Sequence, residues 1–278
     1  MSSSPLSSPA RGAAAAAATS PTTTPPSSSR PVSSSLSSSS SSPPFPATRQ
    51  VTLARADSGG GGGDDDVAAL VDIFWAAFAG PGEWLFPRTP RGRAWLARSF
   101  EGFLGRRSYY RPESRVAVVR GGNGKPVAFL LAHIVRPGQN AVGKSWKTRW
   151  ASCDGDGGDN SVSEARLAGF FEPMAKAHQL VFGGKEEHLF IEFLITEPSH
   201  RHRGHASALL AWAARLADEL GLPAYLDGGG RGMHICEKEG FQAHVIDAEG
   251  RRFGPEREMP CVPMVREARG RGGVEVGG

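Results

Sequence analysis

Apolar positions in the chain follow two periodicities, and together they predict an alternation of strands and helices. Val51 and Leu53 alternate with polar or small residues in "RQVTLARAD" (49–57), which predicts a strand. A glycine- and aspartate-rich stretch (59–66) can only be a loop. Helical spacing of large apolar residues then predicts two helices, the first from about Val67 to Phe78 and the second at 90–105.

The middle of the chain predicts a hairpin, a loop and another helix. Two aliphatic runs within 115–135 are joined by Gly-Gly-Asn-Gly-Lys, a strong hairpin signal. The polar stretch 137–160 is expected to be a loop; its "DGDGGDN" resembles a calcium loop but has Gly158 where an oxygen ligand is needed. Ser161 and Glu164 have capping-box spacing before a helix that Pro173 is expected to split in two.

The nearly continuous apolar run "HLFIEFLIT" (188–196) predicts a central strand buried on both faces. A helix rich in small residues follows and ends near Gly221. The remaining elements are a short strand at "PAYLD", a short helix in "GMHICEKEGF" and a closing pair of strands within 243–268. This order predicts an α/β (α+β) domain with one mixed, mostly antiparallel sheet flanked by helices.

Composition separates this domain from the two ends of the chain. The first 45 residues contain 18 Ser and 8 Pro with almost no large apolar side chains, so they cannot bury enough surface to offset the entropy of ordering. We therefore expect a disordered tail at 1–47, one folded domain at 48–267 and a flexible glycine-rich C-terminus at 268–278.

Charge and cysteine content narrow the partners and the compartment. The formal net charge of +4 arises entirely within residues 1–56, and the rest carries 28 basic and 28 acidic residues, so we expect no nucleic-acid partner. Three cysteines without CxxC spacing, and no apolar run of 18 residues, predict a soluble cytoplasmic protein that does not bind membranes. The acid-free tail leaves mitochondrial import open, and monomer and homodimer are equally compatible.

The segment "SHRHRGHASALL" (199–210) has the properties of a phosphate site. It lies between the apolar strand and a helix whose first amides have no acceptor within the helix. Gly204 and Ala206 are small enough to let a phosphate approach the backbone, and Arg201 and Arg203 add positive charge. The histidines of this segment are expected to lie on the surface or contact phosphate rather than bind zinc, because no Cys or carboxylate completes a tetrahedral set.

Arg201-x-x-Gly204-x-Ala206, three residues after Pro198, resembles the R/Q-x-x-G-x-G/A motif of the GNAT N-acetyltransferases, which bind acetyl-coenzyme A. The resemblance extends from "VTLARAD" through the hairpin to "ICEKEGF". The segments "GLPAYLD" and "ICEKEGF" are similar to the fungal and actinobacterial branch that includes puromycin N-acetyltransferase. The resemblance implies direct transfer of acetyl from acetyl-coenzyme A to a primary amine, without a metal.

The resemblance also implies which residues hold the cofactor. Backbone groups near Ile195 and Thr196 are expected to pair with the pantetheine arm. The amides expected to hold the pyrophosphate belong to His202, Arg203, Gly204, His205, Ala206 and Ser207. The acceptor is expected to be a small-molecule amine, with Trp84, Phe86 and Trp146 as candidates for lining its site.

Two residues are candidates for catalysis. Glu192 is the candidate base, since a lone carboxylate in a buried strand is expected to have a raised pKa; pairing with an arginine or a backbone amide is an equal alternative. Cys236 stands where the family has its general-acid tyrosine. Either Cys236 protonates the departing thiolate, or another group or water does, or the protein is a weak or inactive sensor or scaffold that binds coenzyme A.

Overall fold

The computed structural model describes residues 50–54, 63–80, 82–105, 113–137, 146–153, 161–182, 187–229, 232–244 and 261–269. The tail at 1–47, the calcium-like "DGDGGDN" and residues 270–278 lie outside the described residues, so the predictions made for them stay predictions.

Strands in the described ranges form one mixed sheet. They are β1 (Val51–Leu53), β2 (Glu113–Arg120), β3 (Pro126–Val135), β4 (His188–Thr196), β5 (Ala224–Gly228), β6 (Gln242–Ala243) and β7 (Val262–Arg266). Their order is β1-β2-β3-β4-β5-β7-β6, and every neighbouring pair is antiparallel except β4 and β5. The predicted fold class, a mixed and mostly antiparallel sheet flanked by helices, is confirmed.

Helices cover both faces of this sheet. They are α1 (Gly63–Ala77), α2 (Pro90–Leu104), α3 (Trp146–Arg149), α4 (Glu164–Phe182), α5 (His205–Leu220) and α6 (Met233–Lys238). Apolar side chains of α1 to α4 pack on one face, and those of α5 and α6 pack on the other. Each face of the sheet therefore has its own apolar core. None of the helices in the described ranges is long and apolar enough to span a membrane.

The ends of two helices follow from local sequence. Thr89 caps α2, since its hydroxyl accepts a hydrogen bond from the Gly92 amide at 3.0 Å, and Pro90 occupies the first turn. Gly221 ends α5 in the left-handed conformation with φ +69°. The start of α2 at residue 90, predicted from apolar spacing, and the end of α5 at Gly221 are confirmed.

The start and the continuity of α4 correct two predictions. Ser163 rather than Ser161 lies at its start, because the Ser163 hydroxyl accepts from the Arg166 amide at 3.4 Å. Pro173 does not split the helix, which runs unbroken through it. Pro173 is exposed, while Leu167 and Phe171 before it and His178 after it are buried, so packing on both sides of the proline stabilises one continuous helix.

Candidate active site

The two parallel strands at the centre of the sheet separate towards their C-terminal ends. β4 and β5 pair only at Leu189 with Ala224, Phe190 with Tyr225, and Ile191 with Leu226. Beyond these pairs a cavity of about 540 Å³ lies against both strands, α4, α6 and the start of α5. The separation explains why Phe193, Leu194 and Thr196 in the second half of β4 are only partly buried, which corrects the prediction of a strand buried on both faces.

Within the part of the chain that the structure describes, the edge of β4 that faces the cavity has no neighbouring strand beyond Ile191. Ile195 and Thr196 line the cavity along this edge. The buried hydroxyl of Thr196 has no hydrogen-bond partner in the described part of the chain. An extended ligand that carries amides can pair with such an edge as an added strand, so these residues fit the pantetheine arm of coenzyme A.

The turn between β4 and α5 brings backbone amides to one end of the cavity. Its backbone turns through two left-handed residues, His202 at φ +59° and Gly204 at φ +76°. The backbone hydrogen bond from Ala208 to Gly204, 3.1 Å long, closes the first turn of α5, so the amides ahead of it have no acceptor within the helix. Together with the positive end of the helix dipole they fit a pyrophosphate.

Four of the nine predicted cofactor residues line the cavity: Ile195, Thr196, Arg201 and Ala206. The other five lie on the turn and the first turn of α5, outside the lining of the cavity: His202, Arg203, Gly204, His205 and Ser207. Among the described residues, no group of three or more His, Cys, Asp or Glu side chains is placed to hold a metal ion.

A β-bulge in β4 determines where Glu192 points. Leu131 of β3 pairs with Phe193 and Ala132 pairs with Ile191, so Glu192 is the extra residue between two ladder positions. Because a bulge interrupts the alternation of a strand, Glu192 and Phe193 both contact Trp150 on the face covered by α1 to α4.

The Glu192 carboxylate is enclosed by hydrogen-bond donors. Arg149 donates from Nη2 to Oε1 at 2.8 Å and from Nε to Oε2 at 3.1 Å. The Trp150 indole donates to Oε1 at 3.0 Å, and His133 Nε2 lies 2.6 Å from Oε2. Only 3% of the Glu192 side chain and 5% of the Arg149 side chain are exposed. This is a buried ion pair whose carboxylate oxygens are both occupied.

The charge state of this group contradicts one prediction. Burial alone raises the pKa of Glu192, but the Arg149 charge and the hydrogen bonds from His133 and Arg149 outweigh it and hold the pKa well below its usual range. Burial also lowers the pKa of His133. The expected raised pKa of Glu192 is therefore wrong, and pairing with an arginine is what the structure shows. No local pattern could have indicated Arg149, which lies 43 residues upstream.

Cys236 lies on α6, where it is buried and lines the cavity. Burial raises the pKa of its thiol to about 11. The thiol therefore has no advantage over a phenol, whose ordinary pKa is about 10, as a proton donor near neutral pH. That Cys236 protonates the departing thiolate stays a prediction.

The aromatic residues expected to line the acceptor site do not line the cavity. Trp84 is exposed, whereas Phe86 and Trp146 are buried in the core under α1 to α4. The phenylalanines that do line it are Phe78, Phe170, Phe171, Phe190 and Phe193, together with Met174 and several Leu and Ile side chains. The aromatic residues chosen from the sequence did not predict the lining of the cavity, because the burial of such side chains depends on tertiary packing.

An acid that sequence reasoning missed also lines the cavity. Asp227 follows the last position at which β5 pairs with β4, and its Oδ1 accepts a hydrogen bond from the Tyr225 hydroxyl at 2.8 Å. Burial raises the pKa of Asp227 to about 7, and the Glu192 charge contributes in the same direction against the hydrogen bond from Tyr225. The available signal was a lone acid in "PAYLD", two residues from Tyr225 and so on the same face of a strand.

Comparison with known families agrees with this geometry. Residues 68–241 match the model of the acetyltransferase (GNAT) family. The chain belongs to the GNAT family. The matched residues run from α1 to the residue before β6 and include β4, β5 and the turn before α5.

Several solved acetyltransferases are similar to this GNAT chain. The histone acetyltransferase HPA2 and related acetyltransferase from Corynebacterium glutamicum is 18% identical, with 79% of this chain and 97% of that chain covered and a TM-score of 0.44. The phosphinothricin acetyltransferase from Sinorhizobium meliloti, solved with AcCoA, is 17% identical, with 80% of this chain and 90% of that chain covered and a TM-score of 0.44. The PaiA N-acetyltransferase from Thermoplasma acidophilum, solved with coenzyme A, is 10% identical, with 78% of this chain and 99% of that chain covered and a TM-score of 0.41. No curated protein matches the sequence.

Proposed function

We propose that this protein transfers acetyl from acetyl-coenzyme A to the primary amine of a small molecule. The observation that carries the proposal is the unpaired edge of β4, which borders the cavity and leads directly into the amide-rich turn before α5. An edge that accepts an extended amide chain, followed by a site for pyrophosphate, matches the two halves of coenzyme A in order.

Each part of this region has a separate task. Ile195 and Thr196 would hold the pantetheine arm, and the Thr196 hydroxyl would gain a partner. Arg201 and the amides of 202–207 would hold the pyrophosphate. When bound, acetyl-coenzyme A supplies an acetyl thioester, which an uncharged amine can attack directly. The chain must therefore remove a proton from the acceptor and keep water from the thioester.

The acceptor is a small amine with an apolar body. Phe170 and Met174 of α4 and Phe193 of β4 supply apolar surface inside the cavity. Glu192 also lines it, but its charge is already neutralised by Arg149. Asp227 is then the one acidic side chain that lines the cavity without a paired cation among the described residues, and a single carboxylate suits one amine better than a lysine-rich protein tail.

A second function is favoured by one observation. The thiol of Cys236 occupies the family's tyrosine position, and burial raises its pKa to about 11. Loss of the family's acid would leave a protein that binds coenzyme A as a sensor or scaffold and turns over weakly or not at all. The closer resemblance to the puromycin N-acetyltransferase branch stays a prediction, as do the cytoplasmic location and the oligomeric state.

Two glycines at opposite ends of α5 provide a matched test of cofactor binding. Gly204 and Gly221 have similar left-handed conformations, at φ +76° and φ +69°. Alanine costs roughly 1–2 kcal/mol of backbone strain at either position. Only Gly204 lies at the proposed pyrophosphate site. We expect Gly204→Ala to weaken calorimetric binding of coenzyme A about tenfold or more, with Gly221→Ala close to the wild type.

Turnover separates the two functions. Release of free thiol from acetyl-coenzyme A is measured with a panel that includes 2-phenylethylamine and spermidine, and products are identified by mass spectrometry. Acetylated amine supports the enzyme. Tight binding of coenzyme A without turnover of any amine supports the scaffold. Absence of binding contradicts both.

A further inference from the structure

Glu192 and Asp227 occupy equivalent places on the two separating strands. Glu192 follows Ile191, and Asp227 follows Leu226, which is the partner of Ile191 in the last paired position. Both acids line the cavity, where the Glu192 side chain is buried and Asp227 is partly buried. Their hydrogen-bond environments differ: Arg149, His133 and Trp150 surround Glu192, whereas Tyr225 is the donor to Asp227 within the described part of the chain.

This difference decides which acid can accept a proton. Arg149 and its neighbours stabilise the Glu192 anion, so protonating Glu192 would leave a buried guanidinium without its counter-charge. No cation is paired with Asp227 among the described residues; its Oδ1 accepts from the Tyr225 hydroxyl, and the residue lines the cavity. Burial raises the pKa of Asp227 to about 7, where a base is half ionised at neutral pH and strong enough to accept a proton.

The other titratable groups near Asp227 are less suited to this task. His178 of α4 lines the cavity and stacks on the Tyr225 ring, but its Nε2 lies 2.7 Å from His188 Nε2 and is engaged there. Burial raises the pKa of Cys236 and of Cys261 to about 11, so both are protonated thiols near neutral pH. Arg149 and Arg201 are cations and cannot act as bases.

We propose that Asp227 is the general base that takes the proton from the ammonium group of the acceptor. The inference rests on the proposed acetyl transfer and assigns the proton-accepting step to a residue on β5 rather than to Glu192 on β4. Tyr225 is a positioning residue, since its hydroxyl holds Oδ1 and leaves Oδ2 to face the acceptor.

The step balances in protons and electrons. The acceptor ammonium gives one proton to the Asp227 carboxylate and becomes a neutral amine. The nitrogen lone pair forms the new N–C bond while the C–S bond breaks and its electron pair leaves with sulfur. The second proton of the nitrogen goes to the departing thiolate, directly or through water, and Asp227 returns its proton to solvent. No oxidant, reductant or metal is needed.

The first variant is Asp227→Asn, which keeps the size of the side chain and an oxygen that can accept from Tyr225. The kcat/KM for 2-phenylethylamine is measured from pH 5.5 to 9.5 on the full chain. The wild type is expected to level off above pH 7, because Asp227 is then ionised. The variant is expected to lose about 100-fold at pH 7 and to recover as rising pH deprotonates the amine in solution. Glu219→Gln, at an exposed position on α5, is the control for loss of a carboxylate.

The second variant is Tyr225→Phe, which removes the hydrogen bond that lowers the pKa of Asp227. The acid limb of kcat/KM should therefore move to higher pH, a shift that a purely structural defect would not produce. Carbon-13 NMR of labelled aspartate carboxyls gives a readout without turnover. A signal absent from Asp227→Asn should titrate near pH 7 in the wild type and at higher pH in Tyr225→Phe.

The outcomes distinguish this inference from the function on which it rests. If the wild type binds coenzyme A but acetylates no amine, the proposed function fails and the base with it. If the wild type acetylates 2-phenylethylamine and Asp227→Asn keeps its plateau above pH 7, the assignment of the base alone is overturned. If Asp227→Asn does not fold, Tyr225→Phe provides the test. The assignment is overturned if this variant shifts neither the acid limb of kcat/KM nor the titration midpoint of the carboxyl signal.

Discussion

Neutralising Glu192 tests whether this carboxylate is the structural partner of Arg149. Glu192→Gln keeps the shape of the side chain but removes its charge. Only 5% of the Arg149 side chain is exposed, so solvent cannot replace the lost counter-charge. The Gln amide also brings N–H groups towards donors on Arg149 or His133, so at least one present hydrogen bond is lost.

The expected loss of stability is large for a single atom exchange. Removing one partner of a buried ion pair costs about 3–5 kcal/mol. In a domain of this size, that corresponds to a fall in Tm of about 6 °C or more. Glu83→Gln is the matched control, because Glu83 and Arg88 form an exposed pair at 3.9 Å with side chains 47% and 51% exposed. Such a pair contributes less than about 1 kcal/mol.

Urea denaturation followed by tryptophan fluorescence measures both variants. Because the folded-state pKa of Glu192 lies below the unfolded value of 4.5, the stabilisation is fully present above pH 4.5 and is lost as the pH falls below it. The difference in the free energy of unfolding between the wild type and Glu192→Gln should therefore become smaller as the pH falls below 4.5. A Glu192→Gln protein as stable as Glu83→Gln would refute the buried pair. If Glu192→Gln folds and its pH profile of kcat/KM has lost the acid limb, Glu192 rather than Asp227 is the base.

Three further predictions concern other parts of the molecule. Cys236→Ala should change kcat less than about threefold, since a thiol with a pKa of about 11 is a poor acid near neutral pH; a loss of about 100-fold would make Cys236 the acid. Asp218→Asn should lower the free energy of unfolding by about 2–3 kcal/mol, because both Asp218 oxygens accept from buried Arg266 at 2.7 Å. Arg266 holds the pKa of Asp218 below its unfolded value of 3.8, so this loss should be fully present above pH 3.8 and disappear as the pH falls further through the folded-state pKa. Exposed Glu219→Gln should show neither effect. Phe170→Ala should raise KM for 2-phenylethylamine by about fivefold through lost ring contact, whereas exposed Leu180→Ala on the same helix should not.

Most of the fold was predictable because the signals are local. The period of apolar residues placed α2, α5 and most of α1, the Gly-Gly-Asn-Gly-Lys turn placed the β2–β3 hairpin, and Gly221 marked the end of α5. The turn before α5, where we propose that pyrophosphate binds, was also visible, since its small residues, arginines and flanking elements are contiguous in the chain. The low helix propensity of proline led to a wrong prediction at Pro173, because packing on both sides of the proline keeps α4 continuous.

The sequence by itself thus determined the class of the sheet, the order of its elements and the family to which the chain belongs. Only the tertiary structure decided the ionisation of the two acids in the cavity, because a pKa depends on neighbours that the sheet and helices bring from distant parts of the chain. Arg149 and His133 lie 43 and 59 residues from Glu192, and a bulge that spacing does not reveal turns Glu192 towards Arg149 and Trp150. The same packing leaves Asp227 partly buried and without a paired cation among the described residues.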